Sequence, residues 1–204
     1  MRQGDVDFAN LTLMDLALFQ LEFGDSAKAA ATLKIRTGDG GDPGALAVLQ
    51  AAMGDLAPAR RFAANEESKD LKNTEIQFVN LPLLRARLVL ADHRPADAIQ
   101  LLEPARPYQL RDFNVPDLRA QTETEAGRLD AAAEDNRLIL ANQGVDPISP
   151  LYSLAHLRLA RVLVLQKKTD EARQQYRAFL DAWKNADSDL PLLRAARSEF
   201  AKLQ

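Results

Sequence analysis

The sequence predicts an all-α chain of helical hairpins stacked side by side. Three observations carry this. The run LYSLAHLRLARVLVL, Leu151 to Leu165, is apolar on nearly every side, and QKKTD joins it to the amphipathic EARQQYRAF, Glu171 to Phe179. A helix apolar all round must be covered on more than one flank, so its own partner and a neighbouring pair are both needed. Ala and Leu dominate a hydrophobic content of 47%, while aromatic residues make up only 6%, a balance that favours helix over sheet. Short breaks recur at Gly24, Gly54, His93, Gly127 and Lys167, which are 30, 39, 34 and 40 residues apart.

The elements follow in order. Asn10 to Phe23 reads as a helix, broken by Gly24-Asp25, and Ser26 to Ile35 as its partner with Asp25 or Ser26 as cap. TGDGGDPG, Thr37 to Gly44, connects to a helix over Ala45 to Met53 and, after Gly54-Asp55, a partner over Leu56 to Asn65. Glu66 to Asn73 is a polar connector. Thr74 to Leu90 is helical with a bend or a start at Pro82. Pro95 suits the first position of a partner helix over Ala96 to Ala105. The connector Arg106 to Pro116 precedes helices over Asp117 to Ala126 and Leu129 to Ala141, and Asn142 to Pro150 leads into the opening pair. A closing helix runs from about Leu190 to Leu203, capped by Asp187-Ser188-Asp189. Its apolar stripe is Leu193, Ala196, Phe200 and Leu203.

Small residues keep one register. Ala29, Ala59, Ala98, Ala132 and Ala172 each stand five places after a turn residue, and Ala17, Ala47, Ala86, Ala120 and Ala160 seven before one. Small side chains suit the crossing point of a close helix pair. Leu33, Leu102 and Tyr176 in the partner helices, and Leu16, Leu46 and Leu159 in the first helices, are expected to fill the gaps between crossings.

With this period and these positions the chain resembles tetratricopeptide-repeat proteins over almost its whole length. LPLLRARLVLADHRPADAIQLLEPARPYQL and LAHLRLARVLVLQKKTDEARQQYRAFLDAWKNADSDLPLLRAARSEFAKLQ look like segments of the C-terminal repeat regions of bacterial eukaryotic-like serine/threonine kinases and related winged-helix regulators. The resemblance implies a right-handed superhelical solenoid, one domain over residues 1–204. Its repeats would span roughly 10–36, 44–65, 74–106, 114–142 and 151–184, with a capping helix over 190–203. It also implies a non-catalytic scaffolding or sensory part of a longer signalling protein, because the glycine loop, VAIK-type lysine, HRD and DFG of a kinase are absent. His93-Arg94 and Lys167-Lys168 depart from the usual Gly-Asp turn, and the first repeat matches least.

Composition narrows the function classes. With 26 basic and 29 acidic residues the net charge is -3, which argues against an electrostatic nucleic-acid binder. Without cysteine there is no disulfide, thiolate nucleophile or Cys-based zinc site. That fits the cytoplasm and a thiol-free periplasmic domain equally. No apolar run approaches the roughly 20 residues that span a bilayer, and MRQGDVDFAN is not a signal peptide. No nucleophile–base pair or metal constellation is legible, so no enzyme activity and no cofactor are expected. His93 and His156 are far apart, and TGDGGDPG lacks the order of a P-loop or an EF-hand.

In such a fold the first helices line a concave groove. Registering on the turns places Leu18, Val48, Arg87, Gln121 and Arg161 in one row, with Met14, Gly44, Leu83, Asp117 and Leu157 a turn earlier. Asn80 and Asn114 lie before these and Thr124 after. The groove is thus apolar at its start and polar in its middle, with Arg87 and Arg161 flanking Gln121. Arginine forks suit carboxylates and asparagines suit peptide backbone. The expected partner is a protein or extended peptide carrying an acidic residue or a free C-terminus. Only Asn80 is polar among the positions matching a chaperone-adaptor carboxylate clamp, so that partner class is not expected. The other reading is a self-assembly domain, a homo-oligomer built through the ends of the array or its apolar first repeat.

Overall fold

The computed structural model describes residues 3–38, 40–67, 73–147 and 149–203. Among them are eleven α-helices and no strand. The helices are α1 (Gln3–Glu22), α2 (Ser26–Leu33), α3 (Pro43–Ala52), α4 (Leu56–Glu67), α5 (Leu81–Ala91), α6 (Pro95–Leu102), α7 (Asn114–Glu125), α8 (Leu129–Ala141), α9 (Pro150–Leu165), α10 (Thr169–Ala182) and α11 (Pro191–Ala201). They form five antiparallel pairs, α1–α2 to α9–α10, with α11 against α10. The odd-numbered helices also touch one another in sequence, α1 to α3, α3 to α5, α5 to α7 and α7 to α9, so they make a continuous layer.

One local motif makes every hairpin. Gly24, Gly54, His93, Gly127 and Lys167 all have positive φ, between 57° and 84°. After each, the chain closes the same two backbone bonds. At the first turn the N–H of Gly24 reaches Leu21 O at 2.9 Å and that of Asp25 reaches Gln20 O at 2.8 Å. The equivalent pairs recur at Ala51 and Gln50, Leu90 and Val89, Thr124 and Glu123, and Val164 and Leu163. This left-handed C-terminal motif satisfies the last carbonyls of a helix and reverses the chain. Glycine takes positive φ without cost, whereas His93 and Lys167 carry a Cβ against it. His93→Gly and Lys167→Gly are therefore each expected to stabilise the fold by about 0.5–1 kcal/mol, the gain being net of glycine's extra unfolded-state entropy. Urea unfolding checks this, and a loss in both variants would rule out strain at the turns.

The alanine register appears in the packing. All ten alanines at the crossing positions are buried, eight of them fully. Leu102, Tyr176 and Leu159 fill core positions as expected, while Leu33 and Leu46 are half-buried and Leu16 is exposed at the open side of α1. The largest apolar cluster gathers Leu154, Leu157, Tyr176, Phe179 and Leu193 from α9, α10 and α11. Phe23, at the end of the first hairpin, also packs against it. Its ring stands edge-on to Trp183 at 4.6 Å, and Trp183 stacks on Phe179. The two ends of the row of hairpins therefore meet.

Several boundaries differ from the sequence expectation. α1 starts at Gln3 rather than Asn10, two turns earlier. α11 has Leu190 at its N-cap with no side-chain bond, so Asp187-Ser188-Asp189 does not cap it. Pro191 fills the first position, where a missing N–H costs nothing. Asp25 caps α2, accepting from Lys28 N at 3.0 Å. After α6 the chain tightens to a 3-10 helix over Glu103–Tyr108, which contains Pro104 and Pro107. Most of the predicted 66–73 connector lies outside the described residues. The glycine-rich connector is pinned by buried Asn10, whose Nδ2 donates to Thr37 O and Gly40 O, both at 2.9 Å. Asp42 then caps α3.

Candidate functional site

The inner layer of odd-numbered helices carries the polar residues that the register singled out. The bend expected at Pro82 takes a definite form. Pro82 has no N–H to give, and the turn before it widens to a π-helix over Ile76–Asn80, with Leu81 N bonded to Ile76 O. This wide turn flows into α5 without a break. It carries Asn80 to an open cavity of about 180 Å³ lined by α1, α3, α5 and the start of α7. Gly44 makes room there, since a Cβ on it would stand 2.7 Å from Asn80 Nδ2.

The cavity walls are apolar, from Leu11, Met14, Leu18, Val48 and Leu83. Two of its lining residues carry a buried side-chain donor without a partner among the described residues, Asn80 Nδ2 and Arg87 Nε. Asn80 is 7% exposed. Buried donors are ordinarily satisfied, and each orphan costs about 1–3 kcal/mol. Four carboxylates, Asp15, Asp42, Glu75 and Asp112, also line the cavity, against Arg87 as the single cation. Asn114 lines it too, with its backbone N–H and its Nδ2 both donating to Asp112 at 2.9 Å.

Deeper along the layer is a buried charge cluster. Arg158 on α9 bridges Asp117 on α7 and Glu22 on α1. Gln121 Nε2 donates to the other Asp117 oxygen at 2.7 Å. Burial pushes the Asp117 carboxyl up to about 6, with Glu22 adding to the rise while Arg158, Arg87 and Gln121 oppose it. Burial works against the charge on Arg158 too, yet Asp117 and Glu22 together hold its guanidinium above the ordinary value. For Arg87 burial prevails and the guanidinium is pulled down, with Arg158 adding to the effect against Glu22 and Asp117.

The seven residues singled out in the sequence thus fall into separate groups. Asn80, Arg87 and Asn114 share the cavity. Asp117 and Gln121 belong to the charge cluster beside it. Gln121, Thr124 and Arg161 share a cleft of about 320 Å³ with Glu22 and Arg158, where Thr124 donates to Ala120 O at 2.7 Å. Arg161 is engaged by α11, its Nε and Nη2 donating to the two Glu199 carboxylate oxygens at 2.9 Å, and Tyr176 donates to the same group. Arg87 and Arg161 therefore do not form a pair of free forks about Gln121. Sequence reasoning missed Glu22 and Arg158. The available signal was position: Arg158 stands nine places before its turn, where α5 and α7 hold the buried Leu84 and Leu118.

Neither histidine joins these groups. His93 occupies a turn, and His156 pairs Nδ1 with Gln175 Oε1 at 2.7 Å while its ring meets Tyr152 edge-on. Among the described residues, no three His, Asp or Glu side chains cluster as metal ligands, and no helix is long and apolar enough to cross a membrane. Comparison of the chain with family models, with curated proteins and with solved structures finds no significant match.

Proposed function

We propose that the chain is a non-catalytic interaction module of the tetratricopeptide kind that binds an extended peptide on its inner layer. The left-handed turns at 30- to 40-residue spacing and the buried alanine register support the family reading. The meeting of the two ends departs from an open solenoid with a free cap. The resemblance of the second half suggests a place in a bacterial signalling protein.

The observation that carries the binding role is the pair of orphaned donors, Asn80 Nδ2 and Arg87 Nε, in an apolar cavity. A peptide carbonyl supplies the acceptor each lacks. The lining revises the expected ligand charge. With Arg161 occupied and four carboxylates lining the cavity against one cation, an acidic side chain would be repelled, whereas a basic one beside the bound carbonyl would be attracted.

The test is a fluorescence-anisotropy titration with labelled extended hexapeptides, one Lys-containing and one Glu-containing. The Lys peptide should bind more tightly, and Asn80→Leu should weaken it at least tenfold. Because the amide is an orphan, the same substitution should leave stability unchanged or raise it by about 1 kcal/mol. Unaltered peptide affinity in both Asn80→Leu and Arg87→Gln would remove the cavity from consideration.

A further inference from the structure

The shared register shows which face of a first helix its neighbours normally cover. Five places before the turn stand Leu49, Thr122 and Val162. Nine before are Leu84 and Leu118, and twelve before are Leu81, Val115 and Ala155. These eight are buried, and the other four residues at the same places, Asp42, Ala45, Leu88 and Arg158, are half-buried. In α1 those places hold Phe19, Asp15 and Thr12, and all three are exposed. Leu16 joins them at 45% exposure, and Phe8 and Leu11 continue the stripe at 73% and 40%. Spacings of three and four residues put these side chains on one face over about three turns.

Asp15 and Phe19 also line a cleft of about 330 Å³ whose far wall is Asp146, Ser149, Pro150 and Leu151, at the entrance to α9. Its floor is apolar. Its charged lining is wholly acidic: Asp15, Glu22 and Asp146. Glu22 is matched by Arg158, but Asp15 and Asp146 have no side-chain partner among the described residues. Partial burial also holds the Asp15 carboxyl above its usual range. α1 has no basic residue to offset these charges.

We propose that the α1 stripe and this acidic cleft dock a cationic amphipathic helix. Its apolar side chains cover Leu11, Leu16 and Phe19, as an adjacent hairpin covers the equivalent positions of α5, α7 and α9. Its lysines or arginines pair with Asp15 and Asp146. A second copy of this chain fits less well, because two α1 stripes packed about a two-fold axis place two Asp15 carboxylates in one apolar seam with no cation. The site shares Leu11 and Asp15 with the peptide cavity but not Asn80 or Arg87, so Asn80→Leu, which acts on the cavity alone, tells the two apart.

The probe is a synthetic 20-residue helical peptide with Leu and Ala on one face and Lys on the flanks, beside a twin with Glu for Lys. Fluorescence anisotropy at low and physiological salt should show saturable 1:1 binding of the Lys peptide, with the twin at least tenfold weaker. Leu16→Lys with Phe19→Lys should abolish binding while circular dichroism shows an unchanged helix content. Asp15→Lys with Asp146→Lys should reverse the preference toward the Glu twin, which keeps the test decisive even where the first pair perturbs folding. No saturable binding of the Lys peptide, equal affinity for the twins, or binding that survives the stripe substitutions would overturn the proposal. So would a dimer in sedimentation that Phe19→Lys dissociates, which assigns the stripe to a second copy.

Discussion

Arg158→Met is expected to destabilise the protein by about 3–5 kcal/mol at neutral pH, the usual cost of removing one partner from a buried ion pair. Arg158 serves two carboxylates at once, Asp117 with a side chain 2% exposed and Glu22 at 10%. Losing the guanidinium strands both. The effect carries a pH mark. Burial already raises Asp117 to about 6 with Arg158 present, so without it the carboxyl rises further. Below about pH 6 Asp117 is protonated in both proteins, and above it the variant holds its proton longer. The gap between the proteins therefore widens as pH rises past 6, because the variant's native state then binds the extra proton. Combining Arg158→Met with Asp117→Asn and Glu22→Gln should recover most of the loss, since an uncharged cluster needs no counter-ion. Guanidinium unfolding at pH 5 and pH 8 reads all of this. A loss below about 1 kcal/mol that does not vary with pH would mean that water screens the cluster.

The same substitution tests whether the ends of the array hold each other. Arg158 ties α1 to α9 across 136 residues of sequence. Among the described residues, the one aromatic contact across that junction is Phe23 against Trp183. Loss of the bridge should therefore appear as a shift in Trp183 emission at denaturant concentrations where helix content is intact. The chain has a single tryptophan, so the signal has one source.

What could be read in the sequence is what repeats locally. A left-handed turn residue, the two bonds behind it and an alanine at a fixed offset are properties of about a dozen consecutive residues. They recur in all five hairpins, including those with His93 or Lys167 in place of glycine. The odd-helix layer was legible for the same reason, as were Asn80, Arg87 and Asn114 upon it. What escaped depends on the path of the whole row. Glu22 meets Arg158 because the last pairs return to the first, and no nearest-neighbour pattern contains that information. Arg161 likewise finds Glu199 through the seating of α11 on α10. The π-turn before Pro82 is a third case: the missing N–H was visible, but not which geometry would absorb it.

Asp135→Asn should stabilise the protein at pH 8, by on the order of 2–4 kcal/mol. Between α7 and α8, Arg119 faces two carboxylates, Glu123 at 3.7 Å and Asp135 at 3.4 Å, and all three are less than 10% exposed. One guanidinium cannot neutralise both. Glu123 Oε2 and Asp135 Oδ2 are left without a hydrogen-bond donor. A proton supplies that donor, and burial with the added repulsion of Glu123 pushes Asp135 up to about 7 against the pull of Arg119. The native state then binds a proton that the unfolded chain, with an ordinary value near 3.8, has released. Stability from this group is therefore complete below about pH 4 and is lost as pH rises through 7. Asparagine mimics the protonated acid at every pH, its amide donating to Glu123 while its oxygen faces Arg119. The melting temperatures of the two proteins should coincide near pH 4 and separate by roughly 5–10 °C at pH 8. The smaller slope due to Asp117 should persist in both, since that carboxyl lies in a separate cluster. Parallel pH profiles would place the proton on Glu123 instead, and Glu123→Gln would then carry the stabilisation.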